Sequence, residues 1–469
     1  MQDDRVLIIG SGPAGMACGY TLARANRHNA IIEKSDTVGG LCRTINFHGF
    51  LFDIGGHRFL SSSKEINDLW RNLLGDEMLV VKRLSRIYYK KKYFRYPLSF
   101  FDTFWHLGPV ESFLCFASYL KYRLFSKADD STFEGWITNR FGRRLYEIFF
   151  KTYTEKVWAV PCEKISADWA AQRIWGLSLR VAIQKALFKN KKKEPKTLSE
   201  EFLYPRMGPG EFYSRLMDKM VLAGTQFSFG KKVVSVRHDG RKVESVLLED
   251  RISGRTEEAP LSYLFSTMPL PHLVEVMIPA APKDVMEAVK RLKFRSFIVV
   301  NIILDKKDVF SDQWIYVHSP EVRLGRIQNY KNWSVSMVPD PNKTSLGLEY
   351  FCDEGDSIWR FNDIDMINYA MNDLEKIGVV SRKHLIDGFV VRQEDAYPIY
   401  EVGYKKYVDI LRDYLSGFSN LQTIGRQGLF RYGNSDHALL MGIKAAKNFL
   451  GAEKTDLWKF EINEDRLAA

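Results

Sequence analysis

What the 469-residue sequence lacks narrows it first. It has only five cysteines, Cys18, Cys42, Cys115, Cys162 and Cys352, scattered and without a CxxC pair. That spacing excludes a disulfide framework and a zinc-finger type of site, predicts no bound metal, and points to free thiols in a reducing cytoplasm. No run of about 18 apolar residues is present, so no membrane-spanning helix is expected. The N-terminal MQDDRVLIIG goes straight into a strand pattern, so no secretory leader is expected. No internal repeat is visible. Net charge is +11, yet no zinc-finger, RRM or basic-zipper pattern accompanies the excess, so nucleic acid is not an expected partner. Much of the excess is local, in YYKKKYFRYP around Lys90 to Lys92 and in KNKKKEPK from Lys189 to Lys196. Solvated loops are the plain reading of both. An anionic partner, such as a phosphate or a membrane surface touched by these basic loops, is the alternative. The longest apolar stretch, FFDTFWHLGPVESFLCFASYLKYRLF from Phe100 to Phe125, is broken by Asp102, His106, Pro109 and Glu111. It predicts one or two amphipathic helices, with the apolar face expected against the protein and a bilayer surface as the alternative.

What is present is concentrated at the start. RVLIIG is an apolar run ending in glycine, SGPAGMACGYTLARA has a helical pattern, and HNAIIEKS is a second apolar run closing on an acid. This is a βαβ unit. Between its first strand and its helix lies Gly10-Ser11-Gly12-Pro13-Ala14-Gly15, a G-x-G-x-x-G motif. Gly10 allows the tight turn, Gly12 lets backbone approach a pyrophosphate, and Gly15 lets the helix pack on the strand. Pro13 and Ala14 open that helix, whose N-terminus faces the phosphates. Glu33 ends the second strand, about 20 residues on, where a carboxylate accepts ribose hydroxyls.

The motif alone does not separate NAD from FAD. Glu33 is followed by KSDTVGGLCRT. An acid, a glycine pair and then a basic residue resemble the two-dinucleotide-binding flavoproteins, and here they are Gly39, Gly40 and Arg43. Residues from about Trp70 to Phe188 look mostly helical. KKVVSVRHDGRKVESVLLED carries a hairpin signal at Asp239-Gly240. FRSFIVVNIILDK opens a strand-rich stretch, and HALLMGIKAAKNFLG is a helix stopped by Gly451. This order predicts an α/β fold of interleaved domains. An FAD-binding Rossmann-like (two-dinucleotide-binding) domain would comprise 1–75, 203–285 and 385–469, with a mostly helical insertion at 76–202 and a β-rich substrate domain at 286–384.

Five further blocks stand in order along nearly the whole chain: FDIGGHRFLSS, YFRYPLS, the long Phe133-to-Ile174 block containing Val157-Trp158-Ala159-Val160-Pro161, FSTMP, and GRQGLFRYGNSDHALLMGIKAA from Gly425 to Ala446. Together they resemble the UDP-galactopyranose mutase family, nearest its eukaryotic-type form. The wider clan of amine oxidases, protoporphyrinogen oxidases and carotenoid desaturases shares the N-terminal fingerprint and the C-terminal glycine-rich segment. It lacks the Gly-Gly-His loop and the Trp-Ala-Val-Pro block.

The resemblance implies a cytoplasmic, FAD-dependent isomerase that takes a nucleotide sugar from pyranose to furanose, serving surface polysaccharide synthesis. Non-covalent FAD would act when reduced, its N5 attacking the anomeric carbon. Gly55, Gly56 and His57 would lie beside the flavin, with the Gly56 carbonyl answering the N5–H. Arg173 in WAAQRI and Arg326 in GRIQNY would grip the diphosphate, with Arg323 a substitute for the second. Tyr330 and Tyr432 would hydrogen-bond the diphosphate, and Tyr96 and Trp158 would lie near the sugar. Asn434 would stand near both flavin and sugar, opening a helix whose N–H groups face the reduced ring. Lys34, Leu41, Val234, Gly425, Ser435 and His437 complete the implied flavin contacts. Two features depart from the family. Leu98 stands where an aromatic is usual, and no second G-x-G-x-x-G is visible, which leaves open whether NAD(P)H or another donor reduces the flavin. The alternative is an FAD-dependent oxidoreductase of the protoporphyrinogen oxidase or amine oxidase type, removing hydride from a C–N or C–C bond.

Overall fold

The computed structural model describes residues 5–98, 100–125, 127–174 and 200–460. The first apolar run forms the strand Val6–Ile9, buried along its length. It is the centre of a five-stranded sheet ordered Leu421–Thr423, Tyr263–Ser266, Val6–Ile9, Asn29–Ile32 and Gln226–Ser228. Every pair is parallel. A parallel sheet needs crossover connections that cover its faces, which is why its strands read as unbroken apolar runs. The helix Pro13–Arg24 makes the first crossover and packs on the C-terminal helix Ser435–Phe449. The opening motif and the closing motif are thereby brought side by side.

A second, seven-stranded sheet runs in the order Leu385–Pro398, Phe294–Leu304, Thr344–Cys352, Arg326–Asn329, Trp314–Val317, Ser85–Tyr89 and Lys92–Arg95. Side chains alternate between its faces. One row, including Ile298, Val300, Ile302, Ile327 and Leu348, packs under the helix Asp363–Lys376. The other row, including Phe297, Arg326, Gln328 and Phe351, lines a cavity.

The interleaved α/β architecture is the expected one, but the chain changes layers more often than the expected boundaries allow. Strands 85–89 and 92–95 lie in the stretch expected to be a helical insertion, and 385–398 in a stretch assigned to the dinucleotide-binding domain. All three belong to the seven-stranded sheet. The long strand Phe294–Leu304 has two edges of backbone donors and acceptors, and residues 385–398 satisfy the second.

A helical layer follows, including Phe100–Leu107, Pro109–Leu124, Phe133–Phe141, Thr152–Trp158 and Ala167–Ile174. The Phe100-to-Phe125 stretch is indeed two helices; Phe104 and Leu107 of the first pack on the core as expected, but the expected burial of the apolar face fails in the second. In Pro109–Leu124 the buried residue is Cys115. Its inner side also carries Tyr119, packed on the same cluster, and small polar contacts: the Ser112 hydroxyl donates to the Phe104 carbonyl at 3.0 Å, and the Ser118 hydroxyl accepts from the Arg144 N–H at 3.2 Å. Val110, Phe113, Leu120 and Leu124 are exposed instead. Hydrophobic periodicity shows which residues share a face, not which face meets the protein. Among the described residues, no helix is long and apolar enough to cross a membrane, and no cluster of three His, Cys, Asp or Glu could hold a metal ion. All five cysteines are free and buried.

Candidate active site

The parallel sheet, the seven-stranded sheet and the helical layer meet at a cavity of about 2020 Å³. That is roughly twice the upper range of a pocket for one drug-sized ligand, so it has room for a dinucleotide and a second molecule.

At the dinucleotide end the G-x-G-x-x-G turn is built as its spacing predicts. The Gly10 N–H donates to the Ile32 carbonyl at 2.8 Å, tying the turn to the second strand. A Cβ on Gly15 would stand 1.9 Å from the Gly10 carbonyl oxygen, so only glycine lets the helix start this close to the strand. A Cβ on Gly12 would meet nothing within 4 Å, so backbone faces open cavity there. Glu33 also lines the cavity. Its Oε2 accepts from the Ser11 N–H at 2.7 Å and the Ser11 hydroxyl at 2.8 Å. Its Oε1 accepts from the Ser35 N–H, and the Ser35 hydroxyl lies 2.8 Å away. That hydroxyl is also 3.0 Å from the Thr37 carbonyl, and its single proton serves one acceptor at a time. Glu33 can therefore take a ribose hydroxyl in its place. Lys34, Gly40, Leu41 and Arg43 stand on the same wall, with Arg43 donating to the Gly40 carbonyl at 2.8 Å.

The second helix N-terminus at the cavity belongs to Ser435–Phe449. Asn434 is its N-cap by backbone, but its side chain makes no capping bond. Asn434, Ser435, Gly425 and Tyr432 all line the cavity, beside Gly12 to Ala14. Two helix N-termini with unsatisfied N–H groups suit the phosphates at one end and an anionic flavin ring at the other.

The Gly-Gly-His loop crosses between these ends, directly over the seven-stranded sheet. Gly55 has φ +88°, a conformation that suits glycine. A Cβ there would meet Glu349 Oε1 at 3.4 Å, and one on Gly56 would meet Gln328 Nε2 at 2.9 Å. The loop thus lies on a buried polar network. Gln328 Nε2 donates to Glu349 Oε1 at 2.9 Å, and Arg326 Nη2 pairs with Glu349 Oε2 at 3.1 Å. The register explains this: Arg326 is the cross-strand partner of Glu349 on the cavity face, while Ile327 and Leu348 face the core. Arg326 Nε is buried without an acceptor. The imidazole of His57 also lines the cavity, with Nδ1 buried and unpartnered. Burial, helped by the charges of Arg426 and Arg326, pushes its pKa down to about 3, so the ring is neutral.

Other implied residues fall into two groups. Tyr96 and Trp158 line the cavity, Tyr96 against Tyr316 at 4.9 Å and Trp158 edge-on to Trp169 at 4.6 Å. Arg173 lies in the helix Ala167–Ile174, but its side chain is outside the described residues. Tyr330 does not reach the cavity. The strand ends at Asn329, Tyr330 begins a tight turn, and its hydroxyl donates to the Asp53 carbonyl at 2.7 Å inside the core. Val234 is displaced by a β-bulge between Val233 and Ser235, and Val233 takes the place on the wall. His437 stands behind the wall, next to Asp436, which does line it. Arg323 pairs with Asp356 at 3.0 Å, away from the cavity, and does not stand in for Arg326.

Sequence reasoning missed Arg426. It is partly buried, lines the cavity and donates to the Gly433 carbonyl at 3.0 and 2.5 Å. Its guanidinium lies 4.9 Å from the Tyr432 ring centre and 5.4 Å from that of Tyr397. No described carboxylate pairs with it, and burial holds its pKa below the ordinary arginine value. It sat inside the quoted GRQGLFRYGN block, so a signal was there. Gln328 and Glu349 had none, because they act through cross-strand pairing. His318 was missed too. It stacks on Tyr153 at 4.5 Å, and burial pushes its pKa down to about 3.

Over residues 13–448 the sequence matches the family described as flavin containing amine oxidoreductase. The structure is similar to that of reduced UDP-galactopyranose mutase, with TM-score 0.85 and 22% identity over 100% of this chain and 99% of that one. It is also similar to a putative protoporphyrinogen oxidase from Exiguobacterium sp. 255-15, with TM-score 0.75 and 18% identity over 97% and 100%. At such identities the likeness shows the fold alone. Sequence matches to curated proteins are short. All-trans-retinol 13,14-reductase of Danio rerio is 36% identical over 56 residues, 12% of this chain and 9% of that protein. Phytoene desaturase of Cercospora nicotianae is 41% identical over 49 residues, 10% and 8%. The chain thus matches less than a tenth of the length of these two relatives. The family match over most of the chain agrees with the turn, the acid and the two helix N-termini that fit FAD: the chain belongs to the family of flavin-containing amine oxidoreductases and is an FAD-dependent flavoenzyme.

Proposed function

We propose that this flavoenzyme is a mutase that interconverts the pyranose and furanose forms of a nucleotide sugar, with UDP-galactose the first to test. The observation that carries this reading is the cationic character of the cavity beside the Gly-Gly-His loop. Arg426 has no carboxylate partner among the described residues, and Arg326 keeps a buried Nε proton without an acceptor. Oxygens of a sugar diphosphate fill both needs. A protonated amine substrate would be repelled by the same groups. Bound FAD, when reduced, supplies a nucleophilic nitrogen for the anomeric carbon.

The chain's part is to hold and aim. Arg326, fixed by Glu349, and Arg426, fixed by the Gly433 carbonyl, hold the diphosphate as it leaves and returns. Gly55 and Gly56 let the loop lie close on Glu349 and Gln328, which leaves the cavity above it open. His57, neutral through the physiological range, adds no charge beside the ring. Tyr96 and Trp158 bound the sugar and exclude water.

A second reading, an oxidoreductase acting on a C–N or C–C bond, draws on one observation. Ile87, Leu98, Phe104 and Phe149 give part of the cavity an apolar wall. Titrating the oxidised holoenzyme with UDP while following the flavin spectrum separates the two. The mutase reading predicts saturable binding that weakens at least about tenfold in Arg326→Lys, which keeps the charge and loses the fork. No UDP binding, with steady oxygen consumption on an apolar or amine substrate, favours the oxidoreductase.

A further inference from the structure

The helices Phe100–Leu107 and Pro109–Leu124 carry an apolar surface turned to solvent. Val110, Phe113, Ala117, Leu120 and Leu124 recur at alternating spacings of three and four, one stripe of the second helix. Phe113 is 69% and Leu124 65% exposed, while Trp105 on the first helix is 86% and Phe125 84% exposed. Contiguous exposed aromatics and leucines of this kind mark a surface that something covers.

Charge identifies what covers it. Lys121 and Arg123 flank the stripe and are exposed. The basic turn at Lys90 to Lys92 sits against the first helix, with Lys92 Nζ donating to the His106 carbonyl at 2.7 Å. The acids of the two helices are engaged within the protein: Glu111 pairs with Arg144 at 2.5 Å, and Asp102 accepts from the Arg95 N–H at 3.0 Å. A second copy of this chain would bring the same cations against themselves. The segment 175–199, which carries KNKKKEPK, adds more positive charge. Neither complements the cations that edge the patch.

We propose that this face docks the protein on an anionic lipid bilayer. Trp105, Phe113, Leu120 and Leu124 enter the headgroup region, and the lysines and arginines lie over lipid phosphates. An outward apolar stripe edged by Lys and Arg, with a nearby Trp, is the chemistry of interfacial helices. The inner side of the first helix contributes Thr103 and Phe104 to the cavity wall, so docking places that wall at the bilayer.

The test is co-sedimentation of the holoenzyme with vesicles of phosphatidylcholine alone and with added phosphatidylglycerol, alongside light scattering for mass. The expected result is partition onto the anionic vesicles, weakened by salt. Partition falls at least about tenfold in Phe113→Ser/Leu120→Ser/Leu124→Ser with flavin content unchanged. Should that variant lose its flavin, Lys121→Glu/Arg123→Glu carries the test and must also reduce partition. Absence of sedimentation, equal partition onto neutral vesicles, equal partition by the variants, or a dimer that the variants split would each overturn the proposal.

Discussion

At the scale of single residues, the Gly-Gly-His loop is the point where backbone, sheet and cavity coincide. A methyl group on Gly56 would press on Gln328, which is fully buried and held by Glu349. The side chain cannot give without breaking that bond, so the loop must rise into the cavity. Gly56→Ala is expected to cut turnover at least about tenfold while costing only about 1 kcal/mol of stability. Steady-state assays set beside denaturant melts check this. His318 gives a pH signature. In the folded chain it stays neutral down to about pH 3, whereas the unfolded histidine takes a proton near 6.5. The unfolded chain then binds more protons across that window, and stability falls as pH falls. Asp53, raised to about 7 by burial, acts in the opposite sense, so the clean comparison is with His318→Gln. Going from about pH 7 to about pH 5 should cost the wild type about 2 kcal/mol more than the variant. Equal losses would mean that His318 is protonated in the folded state. Individual residues were legible where their role is local. Gly12, Glu33 and Arg43 follow from spacing. Tyr330 was misplaced because its position depends on where a strand ends, and Arg426 passed unnoticed among better-known neighbours.

At the scale of elements, the first βαβ unit is fully written in the sequence, since turn, helix start and packing are all short-range. Gly15→Val tests it. With 1.9 Å between the added Cβ and the Gly10 carbonyl oxygen, the helix must move off the strand. The purified variant should lack flavin absorbance, and full flavin content would refute the close-packing account. The two sheets were less legible. Strands Arg326–Asn329 and Thr344–Cys352 create the site by facing Arg326 with Glu349, and no local pattern announces that register. The bulge at Val234 shifts a side chain off the wall for the same reason. The helix Pro109–Leu124 shows the converse limit. Its period is clear in sequence, but small polar contacts with Phe104 and Arg144 decide which side faces in.

At the scale of the molecule, the parallel sheet supplies a dinucleotide cradle and the seven-stranded sheet a floor bearing Arg326. The chain passes between them repeatedly, so neither forms from one continuous segment. Interleaving brings the Gly-Gly-His loop, Arg326 and Arg426 to the wall of one cavity, an arrangement suited to an anionic leaving group. The most direct measurement is anaerobic incubation of the enzyme with UDP-galactopyranose, with the flavin oxidised in one sample and reduced with dithionite in the other, followed by chromatography of the nucleotide sugars. The account predicts UDP-galactofuranose in the reduced sample and none in the oxidised one. A reduced enzyme that binds UDP yet forms no furanose from any UDP-hexose would contradict it.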